Sequence, residues 1–250
     1  MFFLGVTIKA TYLCTVKQQE VQHFKIFAIM ETQKIFNLII LDASGSMETI
    51  YSQALTGVNE TLATIRMAQE EHPELQQYVT LASFSAGKHF LNRIYSAEPI
   101  AKARNITRDD YPLLGCTALY DAMGTCISEL QQKVTHGDRV LVTVITDGYE
   151  NSSRTWTGTQ IKLLVEELRQ MGWTFTYIGA DQDVERIAGE IGVRNTLRFS
   201  ANAKATDAMF EKERRSRSKF YSKVCCEMAS PSSSLLESSN YFADDDEPQV

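Results

Sequence analysis

Long uninterrupted apolar stretches are missing from this sequence of 250 residues. A helix that crosses a bilayer needs about 20 consecutive, mostly apolar residues, so the sequence predicts no membrane-spanning segment and no membrane partner. The first residues also lack the basic start and the small-residue cleavage site of a signal peptide. We therefore expect a cytoplasmic protein.

An excess of positive charge is missing as well. The chain has 25 lysine and arginine residues against 31 aspartates and glutamates, a formal net charge of −6. Proteins whose affinity for nucleic acid depends on neutralising phosphates are usually basic. The charge balance therefore argues against a nucleic-acid partner, and it gives no positive indication of which partner is bound.

Paired cysteines are not indicated, because the chain has five cysteines, an odd number. Cys116 and Cys126 lie inside a predicted α/β core and not in the framework of a small disulfide-rich domain. We expect reduced thiols, in keeping with a cytoplasmic location. The adjacent pair Cys225 and Cys226 is interpreted as exposed thiols.

Motifs of several enzyme classes are absent. The sequence has no G-x-x-x-x-G-K-[ST] loop for phosphates and no G-x-S-x-G around a nucleophilic serine. Ala43 and Ser44 follow Asp42, so the first predicted strand is not followed by a D-x-D pair. The histidines form no ligand spacing and join no motif; they are His23, His72, His89 and His136. The sequence therefore predicts a protein that is not an enzyme.

Predicted strands and helices alternate along residues 34–224, which we interpret as one α/β domain. The predicted strands are Leu38–Leu41, Tyr78–Phe84, Phe90–Tyr95, Val140–Ile145, Trp173–Ile178 and Thr196–Phe199. The turn Ala86-Gly87-Lys88 joins the second strand to the third as a hairpin. Strands that alternate with helices favour parallel crossovers. We predict a doubly wound, mostly parallel central sheet with one antiparallel edge strand and helices on both faces.

Both ends of the chain are separated from this domain. Residues 1–33 form an extension of uncertain structure: translation starts at Met30, or Phe24–Met30 adds an edge strand or packs a helix. Residues 225–250 are Ser-rich and acidic and predict a disordered tail. The basic run 214–219, within the last predicted helix, is interpreted as a solvated helix face. A minor hypothesis is that the acidic tail folds back on this run or on a metal.

Polar side chains follow two of the predicted buried strands. Asp42, Ser44 and Ser46 form a D-x-S-x-S pattern directly after the first strand, and Asp147 ends the most hydrophobic strand. Thr117 begins a helix after Gly115 and Cys116. The D-x-S-x-S pattern is weak by itself, but the carboxyl ends of strands in open α/β sheets are where ligands bind. Serine, threonine and aspartate are also favoured helix caps, which is the structural alternative for each residue taken singly.

Together these residues resemble the von Willebrand factor A (VWA) domain and its metal-ion-dependent adhesion site (MIDAS). The D-x-S-x-S of the family falls on Asp42, Ser44 and Ser46, its separate threonine on Thr117 and its later aspartate on Asp147. The resemblance covers residues 34–220 and is closest to stand-alone bacterial VWA proteins, to which the stretch 177–183 is also similar. Cys116 departs from the pattern, since a second glycine is commoner there.

The resemblance implies a Rossmann-like VWA fold and a metal site at these five residues. It implies that Ser44, Ser46 and Thr117 bind the metal directly, while Asp42 and Asp147 often act through water. Hydroxyl, carboxylate and water oxygens suit a hard cation such as Mg²⁺, with Mn²⁺ or Ca²⁺ as alternatives. With only two charged ligands, the metal keeps positive charge that an aspartate or glutamate of a protein partner can neutralise.

Other polar residues near these strand ends are given lesser roles. Asp183 is expected to cap the short helix of residues 184–191, and Asp181 is expected to lie at the rim of the site. Glu150 and Asn151 are interpreted as part of a solvated loop, with a place lining the site as the alternative.

The sequence therefore predicts a metal-dependent protein-interaction module. An accessory or regulatory subunit of an ATPase complex and, with less support, a Mg²⁺-dependent hydrolase remain alternatives. The sequence indicates neither the partner nor the oligomeric state, because specificity at such a site lies in the surrounding loops.

Overall fold

The computed structural model describes residues 32–87, 89–180, 183–229 and 240–243, and the structural statements below concern these residues. The predictions for residues 1–31, including a start at Met30, lie outside the described residues. The same holds for Asp181 and for the acidic residues 244–247.

The described chain alternates strands with helices, as predicted. The strands are β1 (Gln33–Asp42), β2 (Leu75–Phe84), β3 (Leu91–Pro99), β4 (Arg139–Thr146), β5 (Thr174–Ala180) and β6 (Asn195–Phe199). The α-helices are α1 (Tyr51–Glu71), α2 (Leu119–Gln131), α3 (Gly158–Gln170), α4 (Val184–Glu190) and α5 (Ala203–Ala229). Short 3₁₀ turns cover Gly45–Ile50, Ile100–Lys102 and Arg108–Asp110. None of the described helices is long and apolar enough to cross a membrane.

The strands form one sheet in the order β3-β2-β1-β4-β5-β6. Strand β3 pairs antiparallel with β2 at the edge, and every other neighbouring pair is parallel. This confirms the predicted fold class. The chain order reverses between β1 and β4, the topological switch point at which open α/β sheets bind ligands.

Strand β1 lies inside the sheet, between β2 and β4, and is buried on both faces. Ile35, Ile39 and Leu41 face one apolar cluster, which includes residues of α1 and α5. Phe36, Leu38 and Ile40 face the other cluster, which includes residues of α2, α3 and α4. The sheet therefore has helices on both faces, and this explains why the strand is continuously apolar instead of alternating.

Helix α5 differs from its prediction, because part of the basic run 214–219 is buried. Arg217 is 0% exposed and forms an ion pair with Glu213, its Nη2 lying 2.7 Å from Glu213 Oε1. Its guanidinium also donates to Asn37 Oδ1 at 2.9 Å and to Thr143 Oγ1 at 2.8 Å. These two polar side chains lie in the middle of β1 and β4, so the sheet provides the partners that a solvated face would have found in water.

The domain was predicted to end at Val224, but the structure continues beyond this residue. Helix α5 continues to Ala229, and Tyr241 and Phe242 are buried in the cluster that contains α1 and α5. The backbone N–H of Tyr241 donates to Asn195 Oδ1 at 3.0 Å. Part of the predicted disordered tail is therefore in the core, because two aromatic side chains remove apolar surface from water there.

Candidate metal centre

The carboxyl ends of β1 and β4 bring two of the predicted ligands together. Asp42 is the last residue of β1, and Asp147 follows directly after β4. The two strands are parallel neighbours, with Leu41 paired to Ile145. Both carboxylates therefore lie at the switch point of the sheet.

Asp42 is held rigidly in this position. The backbone N–H of Ser44 donates to Asp42 Oδ1 at 2.7 Å, and Thr146 Oγ1 donates to Oδ2 at 2.5 Å. The hydroxyl of the fully buried Tyr111 donates to the carbonyl oxygen of Asp42 at 2.5 Å. The sequence analysis did not identify Thr146 or Tyr111 as partners of Asp42. For Thr146, a signal was available, because this residue directly precedes Asp147.

The three hydroxyl residues lie around the same point. Ser44 Oγ is 3.1 Å from Ser46 Oγ, and Ser46 Oγ donates to Asp147 Oδ1 at 2.7 Å. Gly148 marks where Thr117 joins them, because a Cβ atom placed on Gly148 would lie 2.9 Å from Thr117 Oγ1. The same Cβ would lie 3.5 Å from Asp42 Oδ2 and 3.6 Å from Ser46 Oγ. The structure therefore brings the five predicted residues together.

Burial changes the ionisation of Asp42. Loss of solvent raises the pKa of Asp42 to about 6, although hydrogen bonds from Thr146 and Ser44 act in the opposite direction. The neighbouring charge of Asp147 also raises this pKa. Two carboxylates at one partly desolvated place repel each other, and a bound cation would offset this repulsion.

Helix capping does not account for Ser44 or Thr117. Helix α1 begins only at Tyr51, after a 3₁₀ turn that Ser44 precedes without a side-chain capping bond. The residue that precedes α2 is Ala118, so Thr117 is not its N-cap. Asp183, by contrast, caps α4 by accepting from the N–H of Arg186 at 3.4 Å, which confirms its predicted role.

Asn151 lies in an exposed loop, in agreement with its interpretation, and in addition it positions Thr117. The Thr117 N–H donates to Asn151 Oδ1 at 3.0 Å, and the Asn151 N–H donates to the Thr117 carbonyl at 3.1 Å. Glu150 is engaged as well, since it accepts from the backbone N–H groups of Tyr120, Ser152 and Ser153. The loop after β4 therefore holds the loop before α2.

A further acidic residue, which the sequence did not single out, completes this connection. Asp121 in the first turn of α2 is buried and accepts from the backbone N–H groups of Arg154, Thr155 and Trp156, at 2.8, 2.9 and 2.7 Å. A carboxylate with several backbone donors is a strong local constraint. Its place in a first helical turn gave no signal of this role, because acidic residues are favoured there in any helix.

The surface near the site is partly apolar. Leu114 and Tyr149 lie close in sequence to Thr117 and Asp147, and their exposed fractions are 56% and 53%. A neighbouring groove of about 460 Å³ is lined by Gly45, Glu48, Tyr51, Ser52 and Leu113. Large apolar side chains left exposed beside a polar site are typical of surfaces that contact other molecules.

The donor set fits a hard cation. It consists of hydroxyl and carboxylate oxygens, which Mg²⁺, Mn²⁺ and Ca²⁺ prefer. Gly148 leaves free the space next to Thr117, Asp42 and Ser46 that a side chain would fill. The role of the five residues as metal ligands stays a prediction, to which this geometry gives support.

Comparisons with known proteins agree on the fold. No protein-family model matches the sequence, and a search of curated proteins finds no match. The pilus adhesin SpaC from Lactobacillus rhamnosus GG matches with a TM-score of 0.59 and 15% identity, over 76% of this chain and 31% of SpaC. The PilB minor pilin from Streptococcus sanguinis matches with a TM-score of 0.53 and 14% identity, over 77% of this chain and 63% of PilB.

A VWA domain is among the matched structures too. The VWA domain of SpRpn10 matches with a TM-score of 0.47 and 10% identity, a likeness that supports no argument about this chain. The chain spans less than two thirds of SpaC and of PilB. At these identities the likeness concerns the fold alone, and this protein shares with SpaC and PilB a domain-sized α/β architecture.

Proposed function

We propose that this protein is a VWA-type interaction module that binds an acidic group of a protein partner through a MIDAS metal. The observation that carries the proposal is the meeting of the five predicted residues around Gly148, at the switch point of the sheet. Ligand sites of open α/β sheets lie at this point.

The residues that would hold the metal are Asp42, Ser44, Ser46, Thr117 and Asp147. Mg²⁺ is the proposed cation, with Mn²⁺ and Ca²⁺ as alternatives, because all the donors are oxygen atoms. When bound, the metal supplies a double positive charge that is offset only in part, because the resemblance implies neutral hydroxyl groups as direct ligands and carboxylates that act through water. A carboxylate from a partner is the ligand that such a charge attracts.

The surroundings of the site support a protein as the partner. Leu114 and Tyr149 offer apolar contacts beside the polar centre, and tyrosine is enriched among the residues that dominate binding energy at protein interfaces. We therefore propose a partner segment in which an aspartate or glutamate is flanked by apolar residues.

A binding role without catalysis is part of the proposal. A hydrolase would need a general base within hydrogen-bonding reach of its substrate. Glu150, three residues after Asp147, is already engaged, because its oxygens accept from three backbone N–H groups and from Ser153 Oγ at 2.7 Å. Turnover of generic phosphoesters that requires Mg²⁺ and is abolished by Asp147→Ala would contradict this part.

A cytoplasmic location is also proposed. It is supported by the free thiols of the four described cysteines, Cys116, Cys126, Cys225 and Cys226. Structural disulfides are rare in the cytosol.

The test measures metal and partner binding together. Mg²⁺ affinity is determined by calorimetry, and partner proteins are captured from native lysate with Mg²⁺ or with a chelator. Asp42→Ala and Asp147→Ala remove ligands, and Asp109→Ala, an exposed aspartate in the turn Arg108–Asp110, is the matched control. We expect the first two variants, and the chelator, to abolish both metal binding and capture.

Two results would overturn the proposal. One is Mg²⁺ affinity that is unchanged in Asp42→Ala and in Asp147→Ala, which would exclude the metal site. The other is equal capture of the same partner by all variants in Mg²⁺ and in chelator, which would exclude a metal-dependent interaction even if the metal binds.

A further inference from the structure

A second cluster of potential ligands lies at the amino ends of the parallel strands, opposite the carboxyl ends that carry the first site. His72 follows the last residue of α1, Glu74 precedes β2, and Cys225 lies near the end of α5. Nδ1 of His72 is 3.5 Å from Oε1 of Glu74, and the Cys225 Sγ is 3.6 Å from the same oxygen. The three donor atoms all lie within 4.8 Å of one another.

The backbone around two of these residues is fixed. The N–H of His72 donates to the Ala68 carbonyl at 2.9 Å, and the carbonyl of His72 accepts from Leu75 N–H at 2.9 Å. The carbonyl of Glu74 accepts from the N–H of Gln33 at 2.9 Å. Pro73 stands between the two residues and restricts the chain further. The backbone of His72 and Glu74 is therefore fixed by the fold before any ligand binds.

We propose that His72, Glu74 and Cys225 form a second metal site, which takes a borderline divalent cation such as Zn²⁺. One nitrogen, one oxygen and one sulfur donor suit Zn²⁺ better than Mg²⁺ or Ca²⁺. Tetrahedral Zn²⁺ with its usual bond lengths places such donors about 3.3–3.5 Å apart. The separations of Glu74 Oε1 from His72 Nδ1 and from Cys225 Sγ, 3.5 and 3.6 Å, are close to this value.

The site leaves a fourth position for water. The side chains of His72 and Glu74 are 29% and 19% exposed, so the cluster is half-buried and water can reach it. Three protein ligands and one water is the arrangement of an open Zn²⁺ site. Because its ligands come from the end of α1, from the start of β2 and from α5, a bound ion would connect these elements and stabilise the fold.

This site is separate from the MIDAS and does not depend on the proposed function. Strand β1 begins next to the second site and ends at Asp42 of the first. Its ten residues span about 30 Å, so the two sites are separated by about this distance. The two donor sets also differ, since the first consists of oxygen atoms. The second site should therefore prefer a different metal from the first.

The contacts also have an explanation without a metal. The thiol of Cys225 donates to Glu74, which also lies within ion-pair distance of His72. The pKa of Cys225 is raised to about 11, mainly by burial and also by Glu74, so a cation would have to displace the thiol proton, as at any cysteine site. The experiment must therefore detect the metal–sulfur bond itself.

The experiment uses the full chain with Asp147→Ala, which disables the first site and leaves the second intact. Metal-free protein is titrated with Co²⁺ as a spectroscopic probe and with Zn²⁺ in competition with a chromophoric chelator. We expect one equivalent of Co²⁺ with a thiolate-to-cobalt charge-transfer band, and displacement of it by Zn²⁺. Cys225→Ser should abolish the band and weaken Zn²⁺ binding at least tenfold, whereas the neighbouring, exposed Cys226→Ser should change neither.

A second variant keeps the test independent of folding defects. His72→Gln removes another ligand and leaves the thiol in place, and we expect the same loss of Zn²⁺ affinity with an unchanged thermal unfolding profile in chelator. Absence of the charge-transfer band in the parent protein would overturn the proposal. Zn²⁺ affinity that is equal in the parent, Cys225→Ser and His72→Gln would overturn it as well.

Discussion

Gly148 is the residue on which the candidate metal centre depends most directly. It follows Asp147, and its missing side chain leaves open the space between Thr117, Asp42 and Ser46. Even one methyl group would stand 2.9 Å from Thr117 Oγ1, which is shorter than an ordinary van der Waals contact. The smallest residue at this position is therefore a requirement of the site and not of the backbone.

We predict that Gly148→Ala weakens Mg²⁺ binding by at least tenfold, or about 1.4 kcal/mol, because the new methyl group occupies the space of the cation and its ligands. The measurement is calorimetric titration with Mg²⁺. Gly189→Ala is the matched control, since a Cβ atom there meets nothing within 4 Å. Equal Mg²⁺ affinity in both variants would show that this space is not used.

Arg217 is the second residue with a disproportionate role. It is completely buried, and its ion pair with Glu213 is supported by Asn37, Thr143 and Tyr221, with Tyr221 donating to Asn37 Oδ1 at 2.6 Å. A buried ion pair gains little over apolar residues, but loss of one partner leaves a charge without compensation. The network therefore makes the position of α5 on the sheet sensitive to single substitutions.

We predict that Arg217→Met lowers the free energy of unfolding by about 3–5 kcal/mol, because Glu213 is left buried and unpaired. Urea unfolding measures the change. Arg215→Met is the control, since that side chain is 65% exposed and its loss should cost less than about 1 kcal/mol. The double variant Arg217→Met with Glu213→Leu should recover part of the loss, and no recovery would show that the charge is not the cause.

At the scale of elements, two loops form the site together. The loop after β4 holds the loop before α2 through paired bonds between Asn151 and Thr117 and through Asp121, which accepts from the residues before α3. Thr117 is the one predicted ligand that lies neither at the end of β1 or β4 nor directly after it. Its position is therefore decided by these contacts between loops.

We predict that Asn151→Ala weakens Mg²⁺ binding about three- to tenfold. The N–H of Thr117 loses its acceptor, and the hydrogen bond that positions Thr117 contributes about 1 kcal/mol. The first coordination shell itself is untouched, so the loss should be smaller than in Asp147→Ala. Calorimetry with Mg²⁺ measures both. Thr155→Ala, an exposed residue of the same loop, is the control, and a loss of equal size there would contradict a specific role for Asn151.

At the scale of the whole molecule, a C-terminal segment completes the core. Tyr241 and Phe242 pack edge to face, with ring centroids 4.9 Å apart, and Tyr241 lies against Phe220 of α5. Tyr241 also donates from its hydroxyl to Glu213 at 3.4 Å. The segment therefore packs over α5 next to the buried ion pair of Arg217 and Glu213.

We predict that deletion of all residues after Ala229 lowers the free energy of unfolding by about 2 kcal/mol or more, because two aromatic side chains leave the core. Mg²⁺ affinity should not change, since these residues are not part of the metal centre. Deletion after Ala243 is the matched control, and it removes the acidic end alone. A change in Mg²⁺ affinity caused by this shorter deletion would favour the hypothesis that the acidic tail folds back on the metal.

The sequence alone was sufficient for the alternation of strands and helices, the antiparallel edge strand and the fold class. These features depend on local periodicity and on turn residues, which act over a few positions. It also indicated the five candidate ligands, since the ends of apolar strands are visible in the sequence and the resemblance to the VWA domain added Thr117. Parallel strands then bring their carboxyl ends to the same edge in any fold of this class.

Only the tertiary structure decided what depends on contacts between distant residues. Arg217 is buried because Asn37 and Thr143, 180 and 74 positions away in the chain, reach its guanidinium, and no local pattern contains that information. The same is true of the buried Tyr241, of the hydrogen bonds between Asn151 and Thr117, and of the meeting of His72, Glu74 and Cys225. A charged or polar side chain has the same local sequence whether it meets water or a buried partner, so burial of such residues is determined by packing alone.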